Sequence, residues 1–357
     1  MIDILPPSDE VFLSKIYLEN ICKTFDVKSV SAIDNLTLTL EPHQKTAILG
    51  ASGTGKSTLL KIVSGEIVPD SGFVSLETGE ELGQVISCVP QDFHFKEGLN
   101  VAEQIQSYCW GFSQLESYYR AREVIDLFSL HYKDDAQIHE LSFGQIQRLA
   151  FACAIARKPR WVLMDEPFSN LDELLKRDLK RDLKRVFEKE NIASVLVTHD
   201  TRDILGEADH LILLQDGEVC QQGNPLDVYH HPRDSYSARF LGRANLVATR
   251  ILQEHQETCS IRGPFGELEM PKSSHFRSGR SHAFHFFRPE AVHIHPDGQF
   301  EAVFASCEYL PYCEIWELHY KQGKIFALTR ASLGEDVLPG ESVRFDINFE
   351  QTELIPT

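Results

Sequence analysis

The chain has 357 residues, more than one ordinary core uses and about what two domains need. An apolar content of 42% and a charged content of 25% are those of a globular protein, not a disordered or fibrous one. The net charge of −18 argues against broad binding to nucleic acid or an anionic membrane, which needs a basic face, so no nucleic-acid partner is expected. No apolar run is long enough to span a bilayer. Met1 to Glu10, with Pro6, Pro7 and three acidic residues, is not a signal peptide, so a cytosolic protein is expected. Eight cysteines are scattered without a C-x-x-C pair, which speaks against a disulfide framework or a zinc site. Cys22, Cys88 and Cys153 read as small core residues in apolar surroundings.

In chain order, Met1 to Leu13 reads as a poorly ordered or edge segment. Lys15 to Ile21 alternates and reads as a strand, Phe25 follows in a polar loop, and Ile33 to Leu40 alternates again. These two strands suit a half-buried antiparallel sheet. Lys45 to Leu49 reads as a buried strand running into Gly50-Ala51-Ser52-Gly53-Thr54-Gly55-Lys56-Ser57-Thr58, which fits G-x-x-x-x-G-K-[ST]. Glycines let such a loop wrap so that successive N–H groups face a polyphosphate. Lys56 supplies a point charge for the β- and γ-phosphates, and the Ser57 hydroxyl can ligand Mg²⁺. Thr58 to Val63 reads as the helix leaving the loop, with its positive end under the phosphates.

Val85 to Val89 is a short apolar strand that ends at Pro90-Gln91. Asn100 to Tyr108 and Gln114 to Leu130 read as helices, the second with Tyr118, Ala121, Val124, Ile125 and Phe128 in a stripe. Tyr108, Trp110, Phe112, Tyr118 and Tyr119 are either ordinary core or the wall of a groove for a partner's helix. Gln145 to Arg157 is strongly helical and is stopped by Pro159. Trp161 to Met164 is a buried strand ending in Asp165-Glu166. Asp172 to Lys189 is a long helix whose leucines recur every four residues, so its charge run reads as a solvated face. Ser194 to Thr198 is a buried strand followed by His199-Asp200, and Leu211 onward carries a hairpin signal at Asp216-Gly217.

Strands alternating with helices to this point mean an α/β fold with a parallel core sheet. After Pro232 the texture changes to short alternating strands, such as Phe300 to Ala305 and Val343 to Asn348, separated by Gly-Pro, Pro-Asp-Gly and Pro-Gly turns. That is a small all-β domain of barrel type. The expected division is 1–235, with a helical part at about 92–145, and 236–357.

Several polar residues stand at the carboxyl ends of the expected strands, where an open α/β sheet places its site. Asp165 suits Mg²⁺ held through water, and Glu166 is one step further on to polarise an attacking water. Gln91 can bridge metal and water, and His199 can hydrogen-bond a γ-phosphate.

With these residues in place, the chain resembles an ATP-binding cassette (ABC) ATPase over about Ile16 to Asn245. Leu141-Ser142-Phe143-Gly144-Gln145 is close to that family's L-S-G-G-Q signature, and Val162 to Pro167 resembles its Walker B strand with a catalytic glutamate. Ser169 to Asp172 resembles the D-loop, Gln91 the Q-loop glutamine and His199 the switch histidine, and Phe25 stands where the family often stacks a tyrosine on adenine. The resemblance implies a nucleotide-binding cassette with a parallel core sheet, an antiparallel β-subdomain and a helical subdomain, followed by an OB-like barrel. It implies a head-to-tail homodimer, or paired cassette, with MgATP held between one chain's Lys56 loop and the other chain's Ser142, Gly144 and Gln145. Phe143 departs from the signature; a positive φ or a close backbone approach at that position would weaken the site.

Asn224 to Pro232, Phe240 to Gly242, Asn245 and Phe287-Arg288-Pro289-Glu290 resemble the join and accessory domain of importer ATPases serving ferric ion, polyamines, sulfate or maltose-type sugars. This implies ATP hydrolysis driving uptake through an integral membrane permease fed by an extracytoplasmic solute-binding protein. The subunit would sit peripherally on the cytoplasmic face of the inner membrane. The alternatives are a soluble cassette ATPase of repair or translation and a weakly hydrolytic regulatory module. His293 and His295 would share a strand face as a metal pair, against the reading of strand-surface histidines.

Overall fold

The computed structural model describes residues 14–25, 31–169, 171–201, 204–321, 323–330 and 337–357. Met1 to Leu13 and Asn170, named above, lie outside the described residues. The chain forms two units that divide between Val219 and Cys220.

In chain order the first unit has β1 (Ile16–Thr24), β2 (Ser31–Leu40), β3 (Thr46–Leu49), α1 (Lys56–Val63), β4 (Ser71–Leu76), the single turn α2 (Leu82–Val85), β5 (Ile86–Val89), α3 (Val101–Gln106), α4 (Gln114–Leu127), α5 (Phe143–Ile155), β6 (Trp161–Asp165), α6 (Glu173–Glu190), β7 (Ala193–Thr198) and β8 (His210–Gln215). β9 (Glu218–Gly223) leads out of it. The central sheet runs β5-β6-β7-β3-β8-β9. Its inner strands pair parallel, and β3, β6 and β7 are apolar almost throughout because both faces are covered. A second, antiparallel sheet runs β2-β1-β4. Ile16, Leu18, Ile33, Leu36, Leu38 and Leu40 point from it into the same core as α1, while the alternate residues face out.

The helical part closes over a second core. Val101 and Ile105 of α3, Ala121, Val124 and Ile125 of α4 and Leu149 to Ile155 of α5 share one apolar cluster. Asn100 and Ser113 each form a reciprocal capping box that starts α3 and α4, a device worth about 1 kcal/mol per cap. α4 stops at Leu127, short of the expected Leu130, because Ser129 takes a left-handed φ of 56°. Arg120, 4% exposed, ties the helices together: Nε donates to Ala156 O at 3.1 Å, and Nη2 donates to Ile155 O at 2.9 Å and to Glu190 at 2.8 Å. The five aromatic residues divide. Tyr108 and Phe112 lean on the core, whereas Trp110, Tyr118 and Tyr119 are exposed. Cys153 is buried, while Cys22 and Cys88 are only half-buried.

The second unit has two short helices, α7 (Pro225–His230) and α8 (Ser235–Phe240), and then β10 (Asn245–Glu254), β11 (Thr258–Gly263), β12 (Gly266–Pro271), β13 (His282–Phe287), β14 (Val292–Ile294), β15 (Phe300–Tyr309), β16 (Cys313–Tyr320), β17 (Gly323–Arg330), β18 (Ser342–Ile347) and β19 (Thr352–Ile355). They make two five-stranded antiparallel sheets, β12-β11-β10-β13-β19 and β14-β18-β15-β16-β17, a barrel-like all-β unit consistent with an OB-like domain. Phe287, Phe304, Trp316 and Phe345 fill its interior. His295 lies just past β14 and bonds Asp346 at 2.7 Å. Among the described residues no group of three or more His, Cys, Asp or Glu side chains is arranged to hold a metal ion. Among them, too, no helix is long and apolar enough to cross a membrane.

Candidate functional site

Strand order and register bring the polar residues together. β5, β6, β7 and β3 are neighbours, with Val89 opposite Met164, Asp165 opposite Val197 and Leu49 opposite Thr198. Gln91, Asp165, Glu166, His199 and Gly50 therefore leave the sheet at one carboxyl edge.

The phosphate-binding loop is shaped by two glycines that its surroundings require. Gly55 sits at the N-cap of α1 with φ of 94°, and a Cβ there would lie 2.1 Å from Ala32 O. A Cβ on Gly50 would lie 2.7 Å from Leu214 O. Thr54 closes the turn, its hydroxyl donating to Ala51 O at 2.9 Å. No side chain caps α1, so its first N–H groups and its dipole are left for an anion. Lys56, 6% exposed, donates to Gly50 O at 2.8 Å and Ala51 O at 2.9 Å. Burial pushes its pKa down, and the nearby Glu166 and Asp165 carboxylates oppose that. Ala51, Ser52, Gly53 and Ser57 face outward, and Thr58 is half-buried.

Across the loop stand two carboxylates with different surroundings. Asp165 ends β6; burial pushes its pKa up, while a hydrogen bond from Ser57 pulls the other way. Its Oδ1 is buried and has no hydrogen-bond partner. A buried carboxylate oxygen without a donor, beside a hydroxyl, is a site that a hard cation would complete. Glu166 has a left-handed φ of 47°, held by its N–H donating to Val197 O at 2.9 Å. Nδ1 of His199 lies 3.0 Å from its Oε1. Gln91, two residues past β5, is exposed. Phe25, just past β1, is 44% exposed, with Lys23 Nζ 5.8 Å from the ring centroid.

Ser142, Gly144 and Gln145 open α5 elsewhere on this unit. Ser142 is its N-cap, accepting from Gln145 N at 3.4 Å while Gln145 Oε1 accepts from Ser142 N at 2.9 Å. The helix thus begins two residues earlier than the sequence suggested. Phe143 lies in its first turn without a positive φ and is 48% exposed, so the backbone strain feared at this position is absent. Gly144 is the tighter position: a Cβ there would lie 3.3 Å from Leu175 Cδ2. Asp172 caps α6, accepting from Leu174 and Leu175 N–H.

Two supporting contacts carried no sequence signal, since their partners are distant along the chain. Gln147 Nε2 donates to Pro167 O at 2.7 Å, steadying the turn that holds Asp165 and Glu166. Lys176 pairs with Asp200, next to His199, at 3.1 Å.

The chain is similar to several known proteins. A family model described as ABC transporter matches residues 33–169. The Fe(3+) ions import ATP-binding protein FbpC of Pseudomonas fluorescens is 37% identical over 235 residues, 63% of this chain and 66% of that protein. The Fe(3+) ions import ATP-binding protein FbpC 1 of Rhizobium meliloti is 31% identical over 344 residues, 92% of each chain. Among solved structures, the dimeric structure of MJ0796, a bacterial ABC transporter cassette, superposes with a TM-score of 0.52 at 28% identity, covering 59% of this chain and 98% of that one.

Proposed function

The chain belongs to the ABC transporter family, and on that premise we propose that it is the ATP-hydrolysing subunit of an importer. The observation that carries the reading is the carboxyl edge of the central sheet, where the Lys56 loop faces Asp165 and the Glu166–His199 pair. ATP binds with its phosphates over the uncapped start of α1 and against Lys56. Ser57 and Asp165, with Gln91, are the residues that would hold Mg²⁺, and the unpartnered Oδ1 of Asp165 supports that assignment. When bound, the ion would supply positive charge to offset that of the phosphates. Glu166 takes the proton of the attacking water, His199 holds Glu166 in place and reaches the γ-phosphate, and Phe25 stacks on the base.

Two copies close head to tail on ATP, each supplying Ser142, Gly144 and Gln145 to the other's nucleotide. The dimeric cassette of MJ0796 supports that assembly. The subunit docks peripherally, at the cytoplasmic face, on a membrane permease that receives its solute from an extracytoplasmic binding protein. Because the compared relatives are named for Fe(3+) import, ferric ion is the first solute to assay. The test is affinity capture of tagged Glu166→Gln protein with MgATP from gently solubilised membranes of its host. An integral permease identified by mass spectrometry is the expected result. Capture of ribosomes or repair proteins without a permease would overturn the transport reading.

A further inference from the structure

The second unit contains a cavity of 890 Å³ that no part of the nucleotide chemistry uses. It opens among β9, α7, the loop after β12, the end of β13 and the start of β19. Its volume is in the range of small-molecule sites. Glu353 of β19, 9% exposed, lines it. Oε2 of Glu353 accepts from His231 Nδ1 at 3.1 Å, but Oε1 is buried without a hydrogen-bond partner. An orphaned buried carboxylate oxygen is costly, and a donor that enters the cavity and turns the Glu353 carboxylate toward itself would satisfy it.

We propose that this cavity binds a small organic amine, whose ammonium group is held by Glu353. The balance of charge around it selects a cation. Asp227, Glu290 and Glu350 add three more carboxylates to the lining. The two strongly basic residues of the lining are already engaged. Lys272 donates to Glu254 at 2.8 Å and to the His255 carbonyl at 2.6 Å. Arg288, 3% exposed, spends its guanidinium on the carbonyls of Tyr229, Ala238 and Arg243 and lies over the Tyr229 ring. Glu290 already accepts from the Tyr229 hydroxyl at 3.5 Å, so an incoming anion would meet chiefly the exposed carboxylates of Asp227 and Glu350, and no free lysine or arginine among the lining residues. A bare metal ion is disfavoured, since no three suitable ligands converge among the described residues. Burial also pushes the Glu353 carboxyl pKa up, against the pull of His231, so an ammonium returns to the carboxylate the solvation it lost on folding. The inference stands independently of the nucleotide roles above, since every residue it uses lies in the second unit.

Calorimetric titration of the purified full chain tests it, with ethylenediamine and hexamethylenediamine as probes and hexanediol and adipate as neutral and anionic matches. The expected result is saturable binding of a diamine, none of the diol or adipate, and a loss of affinity of about tenfold or more in Glu353→Gln, in keeping with a lost charge-assisted hydrogen bond. ATP affinity measured on the same samples stays at the wild-type value. Absence of binding by both diamines, equal binding of diol or adipate, or unchanged affinity in Glu353→Gln would overturn the proposal. If circular dichroism shows Glu353→Gln unfolded, the exposed Asp227→Asn/Glu350→Gln double variant decides: weakened diamine binding supports the site and unchanged binding overturns it.

Discussion

Nδ1 of His199 lies 3.0 Å from Oε1 of Glu166, joining the residue that follows β7 to the one that follows β6. Neighbouring strands bring the two within reach: Asp165 is level with Val197, so Glu166 leaves β6 beside Thr198, one residue before His199, and contacts His199 diagonally. The backbone of Glu166 pays for its position with a left-handed φ, a conformation that costs on the order of 1 kcal/mol or more in a residue with a Cβ. A strained residue aimed at a partner and a phosphate loop is the arrangement expected of a general base.

The Glu166→Gln variant keeps the shape of the side chain and removes its basicity. Its ATP turnover should fall by about 100-fold to 10,000-fold, the usual contribution of general-base catalysis, with nucleotide affinity retained. Phosphate release under saturating ATP measures the first and equilibrium nucleotide binding the second. Turnover at the wild-type rate would remove Glu166 from the role.

The loop glycines offer a sharper contrast, because Gly53 and Gly55 both have positive φ but different surroundings. Gly53→Ala meets nothing within 4 Å and should cost only backbone strain, about 1 kcal/mol, seen as a fall of a few degrees in Tm without nucleotide. Gly55→Ala drives a Cβ onto Ala32 O, which only movement of β2 relieves, and should lose the fold of the loop or of the unit. Equal thermal shifts in the two variants would contradict the packing argument.

The signature residue Phe143 raises the question of a damaged site. In the first turn of α5 it has ordinary helical backbone and an exposed ring, so glycine relieves nothing and only lowers helix propensity. Phe143→Gly should lower stability by about 1 kcal/mol and change turnover by less than about threefold. A tenfold gain in ATPase rate would mean that the ring itself obstructs the composite site.

Much of this was legible in the sequence because the informative signals are local. The phosphate loop and the Asp165-Glu166 strand end each sit within a few residues of the feature they define, and the central strands announce themselves as apolar runs. Relationships between distant segments were not legible. Arg120 meets Glu190 across 70 residues, and nothing near Arg120 marks it as the buried tie among three helices. The start of α5 was misplaced because Phe143 and Gly144 break the helical pattern, while the Ser142–Gln145 capping box overrides their low propensity. The histidines were hardest to place: His282, His285, His293 and His295 look alike in sequence, yet His295 is anchored by Asp346 and His285 is sealed inside the β-rich unit.

His285 carries the last prediction. It is 0% exposed, neither ring nitrogen has a hydrogen-bond partner, and the rings of Phe265, Phe287 and Phe349 surround it at 5.9, 5.0 and 6.0 Å. Burial pushes its pKa from the ordinary 6.5 down to about 4. The folded state therefore prefers the neutral ring, while the unfolded chain takes up a proton as pH falls through 6.5. Stability is complete above that value and is lost as pH drops toward 4, by up to about 3 kcal/mol at 1.36 kcal/mol per pKa unit. His285→Phe should raise Tm at neutral pH, because it replaces two unsatisfied polar atoms with apolar surface in an aromatic cluster. Its advantage over wild type should widen as pH is lowered from 7 to 4. Thermal melts of both proteins across that range decide the matter: curves that run parallel would show that His285 is solvated or protonated in the folded state.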